Sequence, residues 1–136
     1  MVQLSETFLM ESQALDKDHQ RLVEMVNDIT QMLDGGDTEN CKTKVLDFVE
    51  FVKSHFAREE QLLNKVGYPN VDKHQKHHKE LYPKMNHMLE FADMVAVNAQ
   101  ARESLKKELV FFVMDDVITT DLDFKKFISG SSLGKK

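Results

Sequence analysis

Histidines and acids recur at helical spacing in this chain, in register with the apolar residues, and this pattern constrains the fold most. Two pairs, His55 with Glu59 and His74 with His78, have the four-residue step that places both side chains on one helix face. His19 lies in phase with a third apolar series. Polar groups that point into a core need partners there, because burial without a partner is unfavourable. The sequence therefore predicts separate helices that bring these side chains together in one core.

Apolar periodicity divides the chain into four amphipathic helices joined by short turns. The predicted helices cover residues 16–33, 39–66, 71–92 and 105–128. We expect Asp16 to cap the first helix, and Pro83 to bend the third because proline lacks the backbone N–H donor. Residues 1–15 are interpreted as an N-terminal arm and residues 129–136 as a flexible tail. The predicted fold class is all-α, an up-down-up-down four-helix bundle at residues 16–128.

Composition and charge narrow the functional classes. The chain has 136 residues, which corresponds to one domain large enough to bury a core. Its net charge of −5 argues against nucleic acid or an anionic membrane surface as the main partner, and no apolar stretch is long enough to span a membrane. Cys41 is the sole cysteine and no secretory signal pattern is visible, so we expect a cytoplasmic location.

A metal site is the best explanation for the in-phase histidines and acids. One histidine on an apolar face is usually a core residue bonded to a backbone carbonyl. Two i,i+4 pairs together with His19 are costly to bury without a shared ligand. Imidazole and carboxylate in a helical bundle favour iron, with manganese and zinc as alternatives. His77 lies one step out of phase, so we expect it at the surface or behind the ligands.

Three motifs resemble those of the hemerythrin family, in particular its single-domain bacterial oxygen-binding members. The segment 16–20 (DKDHQ) is similar to the D-x-x-H motif of the first helix, and 55–60 (HFAREE) is similar to H-F-x-x-E-E. The segment 68–78 (YPNVDKHQKHH) is similar to a Y-P turn followed by H-x-x-x-H. Each motif alone is unspecific, but the combination is specific and extends over about residues 8–128.

The resemblance implies two iron ions in a non-haem di-iron centre with an oxo or hydroxo bridge. It assigns His19 and His55 to one iron, His74 and His78 to the other, and Glu59 and Asp121 to bridging positions. It also implies that dioxygen or peroxide binds at the open position of the iron with fewer histidines, for storage, delivery or sensing. The apolar wall beside that position would comprise Phe56, Leu63, Phe112 and Val113. Such a protein is a carrier rather than an enzyme.

The fourth helix departs from the family pattern at Asp116. The family has a histidine five residues before the bridging aspartate, and here that position holds Asp116. We expect Asp116 to complete the metal site, either directly or through a water molecule. An added carboxylate favours ferric over ferrous iron, so a di-iron redox enzyme of peroxidase or oxygen-activating type is the alternative function. A third alternative is a sensor module that reports iron or oxygen to a partner.

Overall fold

The structure is a computed structural model that describes residues 13–122 and Lys125. Its helices are α1 (Gln13–Asp34), α2 (Cys41–Lys65), α3 (Val71–Glu80), α4 (Tyr82–Met94) and α5 (Ala99–Phe111), followed by a π-helical segment, Phe112–Thr119. The predicted tail, residues 1–12 of the arm and the extension of the last helix to residue 128 fall outside the described residues, apart from Lys125. Among the described residues, no helix has both the length and the apolar character needed to cross a bilayer.

The helices form a four-helix bundle, as predicted. α1 packs against α2 and α5, and α4 packs against the same two helices, so neighbours along the chain are neighbours in space. α1 also contacts the π-helical segment, which closes the bundle. The apolar stripes meet in one large core cluster, which extends from Leu22 in α1 to Ile118 in the π-helical segment.

Two glycines end α1 and α2 in the same manner. Gly36 and Gly67 have φ values of 82° and 73°, a conformation that a Cβ atom disfavours. In both turns the N–H of the next residue, Asp37 or Tyr68, donates to the carbonyl five residues earlier. This bond belongs to the Schellman motif, which ends a helix and turns the chain sharply. The second of these turns leads directly from α2 to the histidine pair of α3.

The third helix is interrupted at Leu81, as the position of Pro83 predicted. α3 ends one residue before Leu81, and Pro83 lies in the first turn of α4, where a missing N–H costs least. The interruption comes just after His78. α3 therefore carries the histidine pair as a separate helix of 10 residues that packs against α2.

Two of the predicted helix starts are wrong. Asp16 does not cap the first helix, because α1 already includes Gln13. The fourth helix starts at Ala99 and not near residue 105, since the Asn98 side chain accepts a hydrogen bond of 3.1 Å from the N–H of Ala101. Its first turn buries only a small side chain, that of Ala101, so apolar periodicity gave no signal there.

The last helix widens before it reaches the centre of the bundle. Phe112–Thr119 has the π-helical geometry, in which backbone hydrogen bonds span five residues. The buried residues of this helix include a series with steps of four: Leu105, Leu109, Val113, Val117 and Asp121. In a regular α-helix with 3.6 residues per turn such a series drifts around the axis. The wider turn keeps the series on the core side, and Asp121 therefore faces the core.

Candidate metal centre

Two groups of buried side chains meet between the helices, and each contains two histidines. The first, called here the His19/His55 group, combines a residue of α1 with a residue of α2. Nε2 of His19 lies 2.8 Å from Oδ2 of Asp121, and Nε2 of His55 lies 3.1 Å from the same oxygen. Nε2 of His55 also lies 2.9 Å from Oε2 of Glu59. Ligand atoms from three helices thus converge on one point.

The second group, called here the His74/His78 group, is built on α3. Nε2 of His78 lies 3.0 Å from Oε1 of Glu59, and Nε2 of His74 contacts the same oxygen. Nε2 of His74 also lies 3.5 Å from Oδ1 of Asp121. The four-residue step turns both rings toward the carboxylate of α2, as predicted from the sequence.

Glu59 and Asp121 belong to both groups and link them. Glu59 presents Oε2 to the His19/His55 group and Oε1 to the His74/His78 group. Asp121 divides its oxygens in the same way, with Oδ2 toward the first group and Oδ1 toward the second. Each carboxylate therefore offers one oxygen to each side, which is the arrangement of a carboxylate that bridges two cations.

The donor set fits a pair of cations. All four imidazoles of the two groups turn Nε2 toward the shared carboxylates. Oε2 of Glu59 is buried and accepts no hydrogen bond in suitable geometry from the described residues. A buried carboxylate oxygen without such a partner is unfavourable, and coordination to a cation removes that cost. Imidazole nitrogen and carboxylate oxygen are ligands that iron, manganese and zinc share.

Charged side chains orient two of the imidazoles from behind. Nδ1 of His55 donates to Oδ2 of Asp18 at 2.9 Å, and Nδ1 of His78 donates to Oε2 of Glu60 at 2.7 Å. Arg58 donates two hydrogen bonds of 2.9 Å to Asp18 and balances its charge. With the proton fixed on Nδ1, each Nε2 keeps its lone pair for a metal ion.

Sequence reasoning missed Asp18 and Glu60. Asp16 is the acid that matches the D-x-x-H motif, and the structure shows that Asp18 contacts the imidazole of His55. The sequence nevertheless contained a signal. Asp18 directly precedes His19, and Glu60 directly follows Glu59. An acid next to an inward-facing ligand on a helix can reach the rim of the same site.

The shared carboxylates shift the pKa values of two imidazoles, those of His74 and His55. Burial lowers the pKa of His74, but hydrogen bonds to Asp121 and Glu59 outweigh burial and raise it to about 9. Burial likewise lowers the pKa of His55, and hydrogen bonds to Asp121 and Asp18 raise it well above its usual value. Burial raises the pKa of Asp121, yet its hydrogen bonds with Glu59 and the imidazoles hold it well below its usual range. The centre is therefore a region of negative potential that attracts cations.

The structure does not bring Asp116 into either group, and its role in completing the metal site stays a prediction. Oδ2 of Asp116 lies 2.8 Å from Nζ of Lys84 on α4. Among residues 13–122, Asp116 belongs neither to the His19/His55 group nor to the His74/His78 group. Asp116 comes one position before Val117 in the buried four-residue series. The π-helical turn thus places Asp116 beside the core stripe and within reach of a surface ammonium group. The described centre contains four histidines and two carboxylates.

His77 lies outside both groups, as its phase predicted. The ring is half-buried, and Nε2 donates to the backbone carbonyl of Asp116 at 2.9 Å. A carbonyl oxygen only accepts, so this nitrogen carries the proton. His77 therefore ties α3 to the π-helical segment.

The four residues of the predicted apolar wall are all buried. Phe56 stacks on the ring of His78, with centroids 3.8 Å apart and planes inclined by 7°. Leu63, Phe112 and Val113 are exposed by 1% or less. Phe56 therefore contacts the centre directly, while the role of the other three as the wall of a ligand pocket stays a prediction.

A surface pocket of about 530 Å³ reaches the His74/His78 group. It is lined by Tyr68, Asn70, Lys73, His74, His77 and Thr120. His74 is 7% exposed, whereas the other three histidines of the two groups are exposed by 2% or less. The centre therefore comes closest to the surface beside α3.

Comparison with known proteins agrees with a cation-binding centre. The family described as Hemerythrin HHE cation binding domain matches residues 10–118. The chain is 33% identical over 67 residues to Bacteriohemerythrin of Pseudomonas aeruginosa (strain LESB58), which covers 49% of this chain and 44% of that protein. It is 27% identical over 78 residues to Myohemerythrin of Theromyzon tessulatum, which covers 57% of this chain and 60% of that protein. The matches thus span about half the length of these relatives, and no solved structure matches significantly.

Proposed function

The chain belongs to the hemerythrin family, and on this premise we propose that it binds dioxygen at a non-haem di-iron centre, for storage, delivery or sensing. His19 and His55 would hold one iron, His74 and His78 the other, and Glu59 and Asp121 would bridge them. Bound iron would supply the electrons that dioxygen needs in order to bind. The relatives named Bacteriohemerythrin and Myohemerythrin support the proposal by their similarity.

One observation carries the proposal: each shared carboxylate gives one oxygen to each histidine pair. A mononuclear site requires only one set of converging ligands, and a core histidine network requires no such division. Each of the two overlapping groups contains two imidazole nitrogens and two carboxylate oxygens. Within each group these four atoms lie within 4.8 Å of one another. This favours two neighbouring cations over one.

The charge of the donor set favours oxygen binding over oxidative catalysis. The two groups contain two carboxylates in total, because Asp116 pairs with Lys84. The nearby Asp18 is balanced by Arg58. A third coordinated carboxylate would stabilise ferric iron, and its absence from these groups helps the ferrous state to persist.

A di-iron redox enzyme that consumes peroxide is the second candidate. The observation that favours it is the polar pocket beside His74, whose lining includes Lys73 and Asn70. Apolar dioxygen needs no such lining, whereas peroxide can accept and donate hydrogen bonds within it.

Iron analysis and visible spectroscopy test the proposal together. Protein purified from iron-rich medium should contain about two irons per chain. Reduced under argon and then exposed to air, it should gain a visible absorption band that disappears when oxygen is removed. Irreversible oxidation in air combined with rapid turnover of added peroxide would instead support the redox enzyme. A folded protein that takes up no iron would contradict both functions.

A further inference from the structure

Arg58 lies beside the centre at a position to which the sequence motifs assign no role. It occupies one of the two open positions of H-F-x-x-E-E, directly before Glu59. A guanidinium group has no lone pair for a cation, so Arg58 is not a ligand. Its side chain is 43% exposed, yet it makes two hydrogen bonds to Asp18 and lies 5.3 Å from the ring centroid of Phe51. These contacts hold an exposed side chain in one orientation.

The two hydrogen bonds join α2 to α1. Nε of Arg58 donates to Oδ2 of Asp18, and Nη2 donates to Oδ1, both at 2.9 Å. This forked pairing engages both oxygens of the acid and fixes its direction. The side chain of Asp18 is only 11% exposed, so water screens the pair weakly.

Oδ2 of Asp18 accepts from two donors of opposite effect on the centre. Nδ1 of His55 donates to this oxygen at 2.9 Å, and a carboxylate in that position makes the imidazole a stronger metal ligand. The guanidinium of Arg58 attracts the negative charge of the same oxygen and reduces that effect. Arg58 therefore sets how strongly Asp18 acts on His55.

The other histidine pair has no counterpart of Arg58. Nδ1 of His78 donates to Oε2 of Glu60 at 2.7 Å, and among the described residues Glu60 pairs with no lysine or arginine. The two sides have equal numbers of imidazoles and share the same two carboxylates. The charge behind His55 and His78 is thus a difference that ligand number does not supply.

We propose that Arg58 is a positioning residue that acts through Asp18 on His55 and helps the His19/His55 side of the centre to keep its metal ion in the lower oxidation state. This inference rests on the di-iron centre proposed above. Weaker electron donation by His55 disfavours the ferric state, and the ferrous state is the one that supplies electrons to dioxygen.

The midpoint potential of the iron-loaded protein tests the effect of charge. Arg58→Met should make the potential more negative, by about a tenfold shift of the ferric–ferrous equilibrium, whereas Arg58→Lys should recover most of that shift. Arg21→Met is the matched control, since Arg21 follows Asp18 by three residues on α1 and pairs with Glu24 at the surface. It should shift the equilibrium by less than about twofold. No shift in Arg58→Met, no recovery in Arg58→Lys, or an equal shift in Arg21→Met would overturn the inference.

A double-mutant cycle tests whether Arg58 acts through Asp18. Asp18→Asn removes the charge that Arg58 balances, so Arg58→Met should shift the equilibrium by less than about twofold in that background. The same tenfold shift in both backgrounds would mean that Arg58 acts directly or through the fold, and the inference would be wrong.

Zinc allows a measurement that requires no change of oxidation state. In zinc-loaded protein, the NMR signal of the Nδ1 proton of His55 should move downfield in Arg58→Met, because its acceptor carries more negative charge. The Nδ1 proton of His78 should not move, since its acceptor is Glu60. An upfield shift at His55, shifts of both protons or of neither would contradict the inference, even where Asp18→Asn fails to load iron.

Metal content separates the failure of this inference from the failure of the proposed function. A folded wild-type protein that takes up no iron contradicts the di-iron centre itself. A wild-type protein that loads iron and binds dioxygen, but has the same potential as Arg58→Met, contradicts only the role of Arg58.

Discussion

α2 and the last helix each supply one shared carboxylate, but only α2 does so with regular geometry. In α2 the step from His55 to Glu59 is that of an ordinary helix, and the same turn carries Arg58 and Glu60. In the last helix Asp121 reaches the centre only after the π-helical segment. In a regular helix such as α2, the spacing of residues along the sequence is sufficient to locate the ligands. In the last helix, the π-helical turn determines which side chain faces the centre, and regular spacing does not locate it.

The largest effect is expected when the two carboxylates are neutralised. Glu59→Gln and Asp121→Asn should both lower iron affinity by more than about a hundredfold, because each replaces one of the two bridging oxygens by an amide NH2 group and removes the negative charge that both groups share. Similar losses would show that the regular and the irregular helix deliver equivalent ligands. Iron content after dialysis against a chelator, with helicity by circular dichroism as the control for folding, gives the answer. A much smaller loss in Asp121→Asn would mean that the last helix is not a ligand helix.

Residues that hold the imidazoles should give the next largest effect. Asp18→Asn should lower iron affinity by roughly 10–100-fold, because the proton on Nδ1 of His55 loses its charged acceptor. Asp16→Asn is the matched control, with the same change on the same helix. Its affinity should stay close to that of the wild type. An equal loss in Asp16→Asn would favour the D-x-x-H reading of the sequence over the contacts in the structure.

Most of the bundle and of the centre could be predicted from the sequence. In α2 and α3 the four-residue steps and the apolar stripe have the same period, so the sequence predicts that His55, Glu59, His74 and His78 face the core, and all four are buried there. Pro83 marked the interruption of the third helix because its backbone preference is local. The start of α5 was missed because its first turn buries little more than Ala101.

Asp116 lies outside both groups for a different reason. The family spacing of five residues identified this position, but the direction of its side chain depends on where the helix widens. The sequence indicates the π-helical turn only indirectly, because the buried residues of this helix follow one another at steps of four up to Asp121. The family match ends at residue 118, three residues before Asp121. The competing ammonium of Lys84 comes from another helix and has no signal in the local sequence.

A smaller effect is expected at the contact between α3 and the π-helical segment. His77→Ala should lower the free energy of unfolding by about 1 kcal/mol, because the carbonyl of Asp116 loses its donor. Iron content should not change, since His77 belongs to neither group. Urea unfolding of the wild type, His77→Ala and His77→Gln measures this, and the amide of glutamine should restore part of the loss. Iron loss in His77→Ala comparable to that in Glu59→Gln would make His77 a ligand.

The smallest effect is expected at Asp116, although the family pattern gives this position a metal ligand. Asp116→His and Asp116→Ala should keep the iron content and lower stability by at most about 1 kcal/mol, because an ion pair at the surface contributes little. Lys84→Met should show the same small loss of stability, and the double variant Asp116→Ala/Lys84→Met should add almost nothing further. The rate at which the air-exposed protein oxidises irreversibly should agree within about twofold between wild type and Asp116→His, since neither side chain alters the charge on the irons. A histidine at this position that slowed the oxidation markedly would show that the π-helical turn can bring the side chain into the centre, and that the difference between the two helices is smaller than their geometry indicates.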